Sequence, residues 1–224
     1  MARIARVVGA GIPHHITQRG NRRQQTFFSE DDFREYLSLM GEWCSRYAIE
    51  VWAYCLMSNH AHLIVDPESE DALRKGIGEA HRRSTRRVNF REGWRGHLWQ
   101  GRFSSFPLDE NYLLAAARDV ERNPVRAGIV EKAWEYPWSS ALAHLEGRDD
   151  LLGKVSPLLQ MVGDWKGFLL AGDPEEEIKE IRRHERTGRP LGKDGFVIGL
   201  EKALDRALRY KKTGPKGKGR RDLV

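Results

Sequence analysis

Two strand-like runs separated by only two residues place the strongest constraint on the fold of this chain. Residues 49–57 are rich in aromatic and β-branched side chains, and a second short run, residues 60–65, stops at Pro67. Only Ser58 and Asn59 lie between the two runs. This spacing predicts two strands of one sheet joined by a tight turn.

The segments on either side of this pair complete an alternating order. Residues 14–18 and 99–106 predict further strands. Three helices are indicated by capping residues and apolar side chains at helical spacing, over residues 29–47, 71–90 and from Asp109 or Asn111 to Arg122. The order strand, helix, strand, strand, helix, strand, helix is the ferredoxin-like order with an added helix. We therefore predict an α+β fold, with helices covering one face of an antiparallel sheet.

The C-terminal third of the chain is predicted to be mostly helical. We place the main domain at residues 1–150, a small helical C-terminal extension at 151–208, and a basic tail at 209–224 that is expected to be disordered until nucleic acid binds. Two short helices flank the Gly188 to Pro190 turn. Such a pair can form a small DNA-reading module or a plain αα-hairpin.

Charge is segregated along the chain. The net charge is +6, and the tail at 209–224 supplies the whole excess, since it carries seven basic residues and one acidic residue. Basic side chains also collect on the predicted helix at 71–90. A nucleic-acid partner and a solvated helix face both explain this pattern.

The candidate DNA-binding residues fall into three groups, on the basic helix, in the first loop and in the tail. They are Arg82, Arg83, Arg86 and Arg87; Arg19, Arg22 and Arg23; and Lys211 and Lys212. The helix arginines form pairs four residues apart, which concentrates charge on one side of the helix.

Composition excludes other classes of protein. No run approaches 18 apolar residues, so no membrane span is expected. The two cysteines, Cys44 and Cys55, are not in a C-x-x-C spacing, and no leader opens the chain, which favours a cytoplasmic location.

His60 and His62 lie two residues apart in a predicted strand, so both side chains leave the same face while Ala61 points to the core. Two adjacent imidazoles are half of a metal site. An exposed strand can also carry two histidines that bind nothing.

Five segments, spread over nearly the whole chain, together resemble one protein family. They are residues 57–65, Met-Ser-Asn-His-Ala-His-Leu-Ile-Val; 123–130, Asn-Pro-Val-Arg-Ala-Gly-Ile-Val; 13–23, Pro-His-His-Ile-Thr-Gln-Arg-Gly-Asn-Arg-Arg; 96–103, Gly-His-Leu-Trp-Gln-Gly-Arg-Phe; and 187–192, Thr-Gly-Arg-Pro-Leu-Gly. The chain resembles the REP-associated tyrosine transposases, a family of HUH single-strand transposases.

This resemblance implies a ferredoxin-like nuclease domain, usually a homodimer, that binds a hairpin in single-stranded DNA and cleaves beside it. It also implies a divalent metal, Mg²⁺ or Mn²⁺, and a helix-borne tyrosine that attacks the DNA phosphate. On the matching positions, His60, His62 and Asn123 would be the metal ligands.

The pattern departs from the family at the nucleophile. The family tyrosine lies four residues before the asparagine of the Asn-Pro motif, and this chain has Asp119 there. Three interpretations stay open. Tyr112, seven residues earlier on the same helix face, could replace the tyrosine; Asp119 could join the metal and favour attack by water; or cleavage is lost and hairpin binding remains. In the last case the protein is a non-catalytic DNA-binding protein that recognises repeated palindromes.

Overall fold

A computed structural model describes residues 4–209 of the chain. Its four strands are β1 (His14–Arg19), β2 (Ile49–Met57), β3 (His60–Pro67) and β4 (Ser104–Pro107). They form one sheet in the order β2-β3-β1-β4, and every neighbouring pair is antiparallel. This order is the ferredoxin-like order, so the α+β fold predicted from the sequence is confirmed.

The helices alternate with the strands and then fill the C-terminal part. They are α1 (Glu30–Arg46), α2 (Ala72–Glu92), α3 (Glu110–Glu121), α4 (Asn123–Arg126), α5 (Ala141–Glu146), α6 (Ser156–Leu159), α7 (Trp165–Leu170), α8 (Glu175–Thr187) and α9 (Asp194–Ala203). Within residues 4–209, none of these helices is long and apolar enough to cross a membrane.

Helices α1 and α2 pack on one face of the sheet. The side chains of alternate strand residues, among them Ile16, Leu63 and Val65, are fully buried beneath them. Asp32 connects the two helices. Its carboxylate accepts hydrogen bonds from the backbone amides of Phe28 and Ser29, just before α1, and it forms an ion pair with Arg91 near the end of α2.

The other face of the sheet is also covered, so the prediction that helices lie on one face only is wrong. Ile64 and Phe106 point to this second face and are buried by α3 and by the C-terminal helices. Apolar residues at helical spacing in α3, including Leu113, Ala117 and Val120, supply the contact. The sequence of the strands carries enough apolar residues for two cores, and α3 together with the C-terminal extension provides the second cover.

The fourth strand is much shorter than predicted. The sequence indicated a strand over residues 99–106, whereas β4 begins at Ser104. Only Trp99 in the earlier part pairs with the sheet, through a single bridge to Gly20. Gly101 has a φ of 155°, a conformation that side-chain-bearing residues rarely adopt, and this turns the chain away from the sheet edge.

The start and end of α3 follow the sequence signals. Asp109 is the N-cap, and its carboxylate accepts a hydrogen bond from the backbone amide of Tyr112. The helix ends at Glu121, and Pro124 lies in the first turn of the short α4 that follows. This break sets the position of Asn123 relative to Asp119.

A buried carboxylate joins α3 to the C-terminal helices. Glu121 is fully buried, and one of its oxygens accepts a 2.5 Å hydrogen bond from the Ser140 hydroxyl and lies 2.7 Å from Nδ1 of His144. Its other oxygen accepts a 2.9 Å bond from the indole N–H of Trp165. Burying a carboxylate is costly unless it is fully hydrogen-bonded, so these three donors determine how α5 and α7 pack against α3.

Replacing Trp165 with Phe should therefore destabilise the protein through loss of one hydrogen bond to a charged acceptor. We expect the free energy of unfolding to fall by about 1.5–3 kcal/mol, measured by urea denaturation. Trp134→Phe is the matched control, because that ring is only partly buried and contacts Lys166. Equal losses in the two variants would contradict the structural role of the Glu121 network.

Candidate functional site

The pairing of β1 with β3 gathers polar side chains on the α3 side of the sheet. Arg19 lies opposite His60, and Thr17 lies opposite His62. Residues opposite each other in an antiparallel pair share a face, and so do residues two apart in one strand. His15, Thr17 and Arg19 therefore lie on the same face as the two histidines. We refer to this set, with the α3, α4 and α8 residues that contact it, as the polar layer.

His60 is held at the end of the polar layer nearest the β2–β3 turn. Its Nδ1 lies 2.6 Å from Oδ1 of Asn59, so the ring donates its Nδ1 proton to that amide oxygen. The side chain of Asn123, at the start of α4, also interacts with His60. The His60 and His62 ring centroids are 5.1 Å apart. The structure thus brings the three predicted ligands together.

A second group of ligand-type atoms shares His62. Nδ1 of His62 lies 3.1 Å from Nε2 of His15 and 3.7 Å from a carboxylate oxygen of Glu185. That carboxylate reaches in from α8, where Thr17 donates a 2.9 Å hydrogen bond to it and Ser104 donates to the Glu185 backbone oxygen. One ligand atom from each of His15, His62 and Glu185 lies within 4.8 Å of the others.

The polar layer suits a divalent cation on chemical grounds. Burial is the largest influence on the three imidazoles: it lowers the pKa of His15 and of His60 to about 4, and that of His62 well below its usual value. All three rings are therefore neutral at neutral pH, which is the form that binds metal. Nδ1 of His15 is buried and has no hydrogen-bond partner among the described residues. Buried polar atoms are usually hydrogen-bonded, so this nitrogen is an unsatisfied polar atom within the site.

Asp119 lies at the edge of the polar layer and forms an ion pair with Arg126. Its Oδ1 is 2.9 Å from Nη2 of Arg126, which also donates to the Asp119 backbone oxygen. Burial raises the pKa of this carboxyl, while the charge of Arg126 acts in the opposite direction. The carboxylate thus lies close to the histidines but is already paired with a cation.

Tyr112 lies elsewhere on α3. Its ring lines a cavity of about 390 Å³ together with residues of the C-terminal extension, among them Glu180, Arg183 and Thr187. It is in the first turn of α3, seven residues and roughly 10 Å along the helix axis from Asp119. Its role as an alternative nucleophile stays a prediction.

The candidate DNA-binding arginines fall into different environments. On α2, Arg82 and Arg83 pair with Glu79, and Arg87 pairs with Glu35. Arg86 is exposed and makes no ion pair with any residue in 4–209. Part of the charge on this helix face is therefore balanced within the protein.

The loop after β1 lies beside His60. Arg22 and Arg23 are both exposed, with φ angles of 52° and 63°. The backbone oxygen of Arg23 accepts a hydrogen bond from the Asn59 side chain, which also contacts His60. Arg19 is close enough to lower the pKa of both His60 and His62. Lys211 and Lys212 lie outside the described residues.

Among the members of the polar layer that carry ligand-type atoms, sequence reasoning missed His15 and Glu185. His15 could have been found from the strand pattern. It lies two residues from Thr17, so both side chains leave the same face of β1, the strand that pairs with β3. No local signal identifies Glu185. It is 123 residues beyond His62 in the chain, and only the packing of α8 against α3 and β4 brings it to the sheet.

Comparison with known proteins agrees with this fold. A family model described as IS200-like transposase matches residues 10–123, which include His60, His62, Asp119 and Asn123. The chain belongs to the IS200-like transposase family. A protein of Haemophilus influenzae assigned as a REP-associated tyrosine transposase is 28% identical over 160 residues, covering 66% of this chain and 82% of that protein.

A solved structure supports the fold of this IS200-like family member. It is a REP-associated tyrosine transposase bound to a REP hairpin, with a TM-score of 0.53 and 19% identity, and the match covers 69% of this chain and 93% of the other. The resemblance to the REP-associated tyrosine transposases identified from the sequence motifs is thus confirmed.

Removing the charge of Arg126 should leave Asp119 buried without its partner. We expect Arg126→Gln to lower the free energy of unfolding by about 1–3 kcal/mol, less than for a fully buried pair because Arg126 is partly exposed. Adding Asp119→Asn should restore part of this loss, because Arg126 also pairs with Asp173. Urea denaturation of the two single variants and the double variant gives the coupling, and strictly additive losses would refute the pairing.

Proposed function

We propose that this chain binds hairpin-forming single-stranded DNA and a divalent metal but does not form the covalent tyrosine–DNA link of its family. The observation that carries this proposal is Asp119, which stands at the position that the family motif gives to the tyrosine. The DNA partner is supported by the hairpin bound to the structural relative and by the basic residues around His60.

The basic surface beside His60 is suited to a phosphate backbone. Arg22 and Arg23 are exposed on a loop that is bonded to the β2–β3 turn, and Arg19 lies in the adjacent strand. Cations held on a rigid turn next to the proposed metal ligands would direct a DNA strand across them. Such contacts contribute affinity and position rather than sequence choice.

We assign the metal to His60, His62 and Asn123. In both histidines Nδ1 faces a neighbouring acceptor, Asn59 for His60 and the His15 and Glu185 pair for His62. Each Nε2 can then carry the lone pair that binds a cation, while the Nδ1 contacts orient the ring. A bound Mg²⁺ or Mn²⁺ would polarise a phosphate oxygen.

Asp119 cannot take over the role of the tyrosine. A phenol attacks phosphorus and leaves a stable phosphodiester, whereas attack by a carboxylate would give a labile mixed anhydride. Asp119 is also paired with Arg126, which lowers its nucleophilicity. Tyr112 lies in a different cavity. Metal-assisted attack by water is the alternative that a structural observation supports. Asp119 lies close enough to the histidines to raise the pKa of His15.

The test of the covalent step is a denaturing gel of end-labelled hairpin single strand incubated with Mn²⁺. The parent protein should leave the DNA intact and form no adduct, while binding the same hairpin in a native gel. Asp119→Tyr should form a covalent adduct, and Asp119→Phe, which lacks only the hydroxyl, should not. An adduct with the parent would identify another tyrosine, and free cut ends would identify water attack; either result would overturn the loss of cleavage.

The metal assignment is tested by electron paramagnetic resonance of Mn²⁺ titrated into the protein. His60→Ala should weaken Mn²⁺ binding by at least about 100-fold because it removes a direct ligand, whereas His15→Ala should weaken it by about 10-fold, as expected for a residue that orients a ligand. If His60→Ala binds Mn²⁺ as the parent does and His15→Ala does not, the metal belongs to the His15, His62 and Glu185 group instead.

The family resemblance also implies a homodimer. Sedimentation of the protein with and without hairpin DNA would measure its oligomeric state.

A further inference from the structure

One carboxylate oxygen of Glu185 faces the same atom, Nδ1, of two histidines. Its Oε1 lies 3.7 Å from Nδ1 of His62 and 3.9 Å from Nδ1 of His15. The two imidazoles are buried and stacked, with ring centroids 5.4 Å apart. We refer to His15 and His62 as the histidine pair. Both distances are longer than a hydrogen bond, so the carboxylate acts on the pair through its charge.

Two strands hold Glu185 in this position. The Thr17 hydroxyl, in β1, donates a 2.9 Å hydrogen bond to the same Oε1, which is therefore an acceptor. The Ser104 hydroxyl, in β4, donates to the Glu185 backbone oxygen. The helix that carries Glu185 is thus bonded to the sheet on both sides of the carboxylate. Its oxygen is a fixed negative group beside the histidine pair.

The hydrogen bond within the histidine pair can run in two directions. Each ring is neutral at neutral pH and carries one proton, on Nδ1 or on Nε2. Nδ1 of His62 lies 3.1 Å from Nε2 of His15, so one of these two nitrogens donates and the other accepts. If His15 donates, both Nδ1 atoms turn a lone pair toward the Glu185 carboxylate. If His62 donates, both Nδ1 atoms turn a proton toward it.

The charge of Glu185 selects the second direction. A negative oxygen attracts the two N–H groups and repels the two lone pairs. Nδ1 of His15 is also buried without a hydrogen-bond partner among the described residues, so a lone pair there would be buried beside a like charge. With the His62 proton on Nδ1, the lone pair of that ring lies on Nε2.

We propose that Glu185 is a positioning residue for the metal ligand His62. Its charge, with His15 as the hydrogen-bond acceptor, holds the His62 proton on Nδ1 and leaves the Nε2 lone pair for the cation. This inference rests on the proposed metal assignment and adds that metal affinity depends on α8. Glu185 lies outside residues 10–123, which match the family model, so the dependence belongs to the C-terminal extension.

The tautomer of His62 also separates the two groups of ligand-type atoms. A neutral imidazole has one lone pair. A cation bound with His60 and Asn123 through Nε2 of His62 requires the proton on Nδ1. A cation bound among His15, His62 and Glu185 uses Nδ1 of His62, the atom that faces the carboxylate, and requires the proton on Nε2. The position of this proton therefore tests the inference without any metal present.

Three variants isolate the charge of Glu185 from its packing. Glu185→Gln keeps the size of the side chain and removes the negative charge. Thr17→Val removes the hydroxyl that holds the carboxylate and keeps a β-branched side chain in β1. Glu177→Gln is the matched control, because it makes the same change on α8 at a residue that pairs with Arg118.

The experiment combines two measurements on each variant. Long-range ¹H–¹⁵N spectra of the metal-free protein report which nitrogen of His62 carries the proton, with the His62 signals identified by their loss in His62→Gln. Electron paramagnetic resonance reports Mn²⁺ affinity. The parent should carry the proton on Nδ1. Glu185→Gln should spread it over both nitrogens and weaken Mn²⁺ binding by about 10-fold.

The second variant and the control have their own expected results. Thr17→Val should shift the His62 proton and the Mn²⁺ affinity in the same direction as Glu185→Gln, to a smaller extent. It also keeps the test decisive if Glu185→Gln does not fold. Glu177→Gln should match the parent in both measurements. An equal loss of affinity in Glu177→Gln would mean that any negative charge on α8 acts alike, and would overturn the role of Glu185.

The remaining outcomes separate this inference from the proposed function. A parent with the His62 proton on Nε2 overturns the inference and assigns the cation to the His15, His62 and Glu185 group. A lower Mn²⁺ affinity in Glu185→Gln with the proton still on Nδ1 overturns it as well, because the charge then acts without the tautomer. If the parent binds no Mn²⁺ but Glu185→Gln shifts the proton, the metal assignment fails while the effect of Glu185 on His62 is supported.

Discussion

The register between β1 and β3 is the constraint on which the site depends. Because side chains alternate along a strand, a slip of one residue would turn His60 and His62 toward α1 and α2 and bring Ala61 to the polar layer. Bonds at the β2–β3 turn prevent this, since the amide of Gly20 donates to Asn59 and that of Thr26 donates to Ser58. Gly20 has no substitute there, because a Cβ would lie 2.1 Å from the Gln24 oxygen.

A face that carries three histidines needs polar cover, and the C-terminal extension supplies it. Glu185 of α8 contacts His15 and His62, while Asp173, just before α8, is surrounded by arginines of α3, of α4 and of the junction between them. These arginines are Arg118, Arg122 and Arg126. Because their charges are matched within the protein, the cations most accessible to DNA near the polar layer are those of the loop after β1. The same packing thus completes the polar layer and limits where a DNA strand can approach.

Sequence reasoning succeeded where the signals were local. The sequence predicted the turn between residues 49–57 and 60–65. It also offered Asp109 as one of two candidate caps of α3 and placed the end of that helix at Arg122, which is its C-cap in the structure. Sequence reasoning failed where distant segments meet. The second cover of the sheet and the position of Glu185 arise from packing between segments that are not adjacent in the chain. The length of β4 was overestimated because Gly101 interrupts an otherwise strand-like run.

The ion pair at Asp119 explains how the site tolerates a charge where its family has a neutral phenol. An isolated carboxylate at this depth would carry a large desolvation cost and would add a second negative charge to a layer that already contains Glu185. Arg126, one turn beyond Asn123 on α4, pairs with Asp119 and so preserves the charge balance of the layer. The polar groups around His60 and His62 can then stay assembled with Asp119 in this position. The proposed retention of metal and DNA binding without strand transfer is compatible with this compensation.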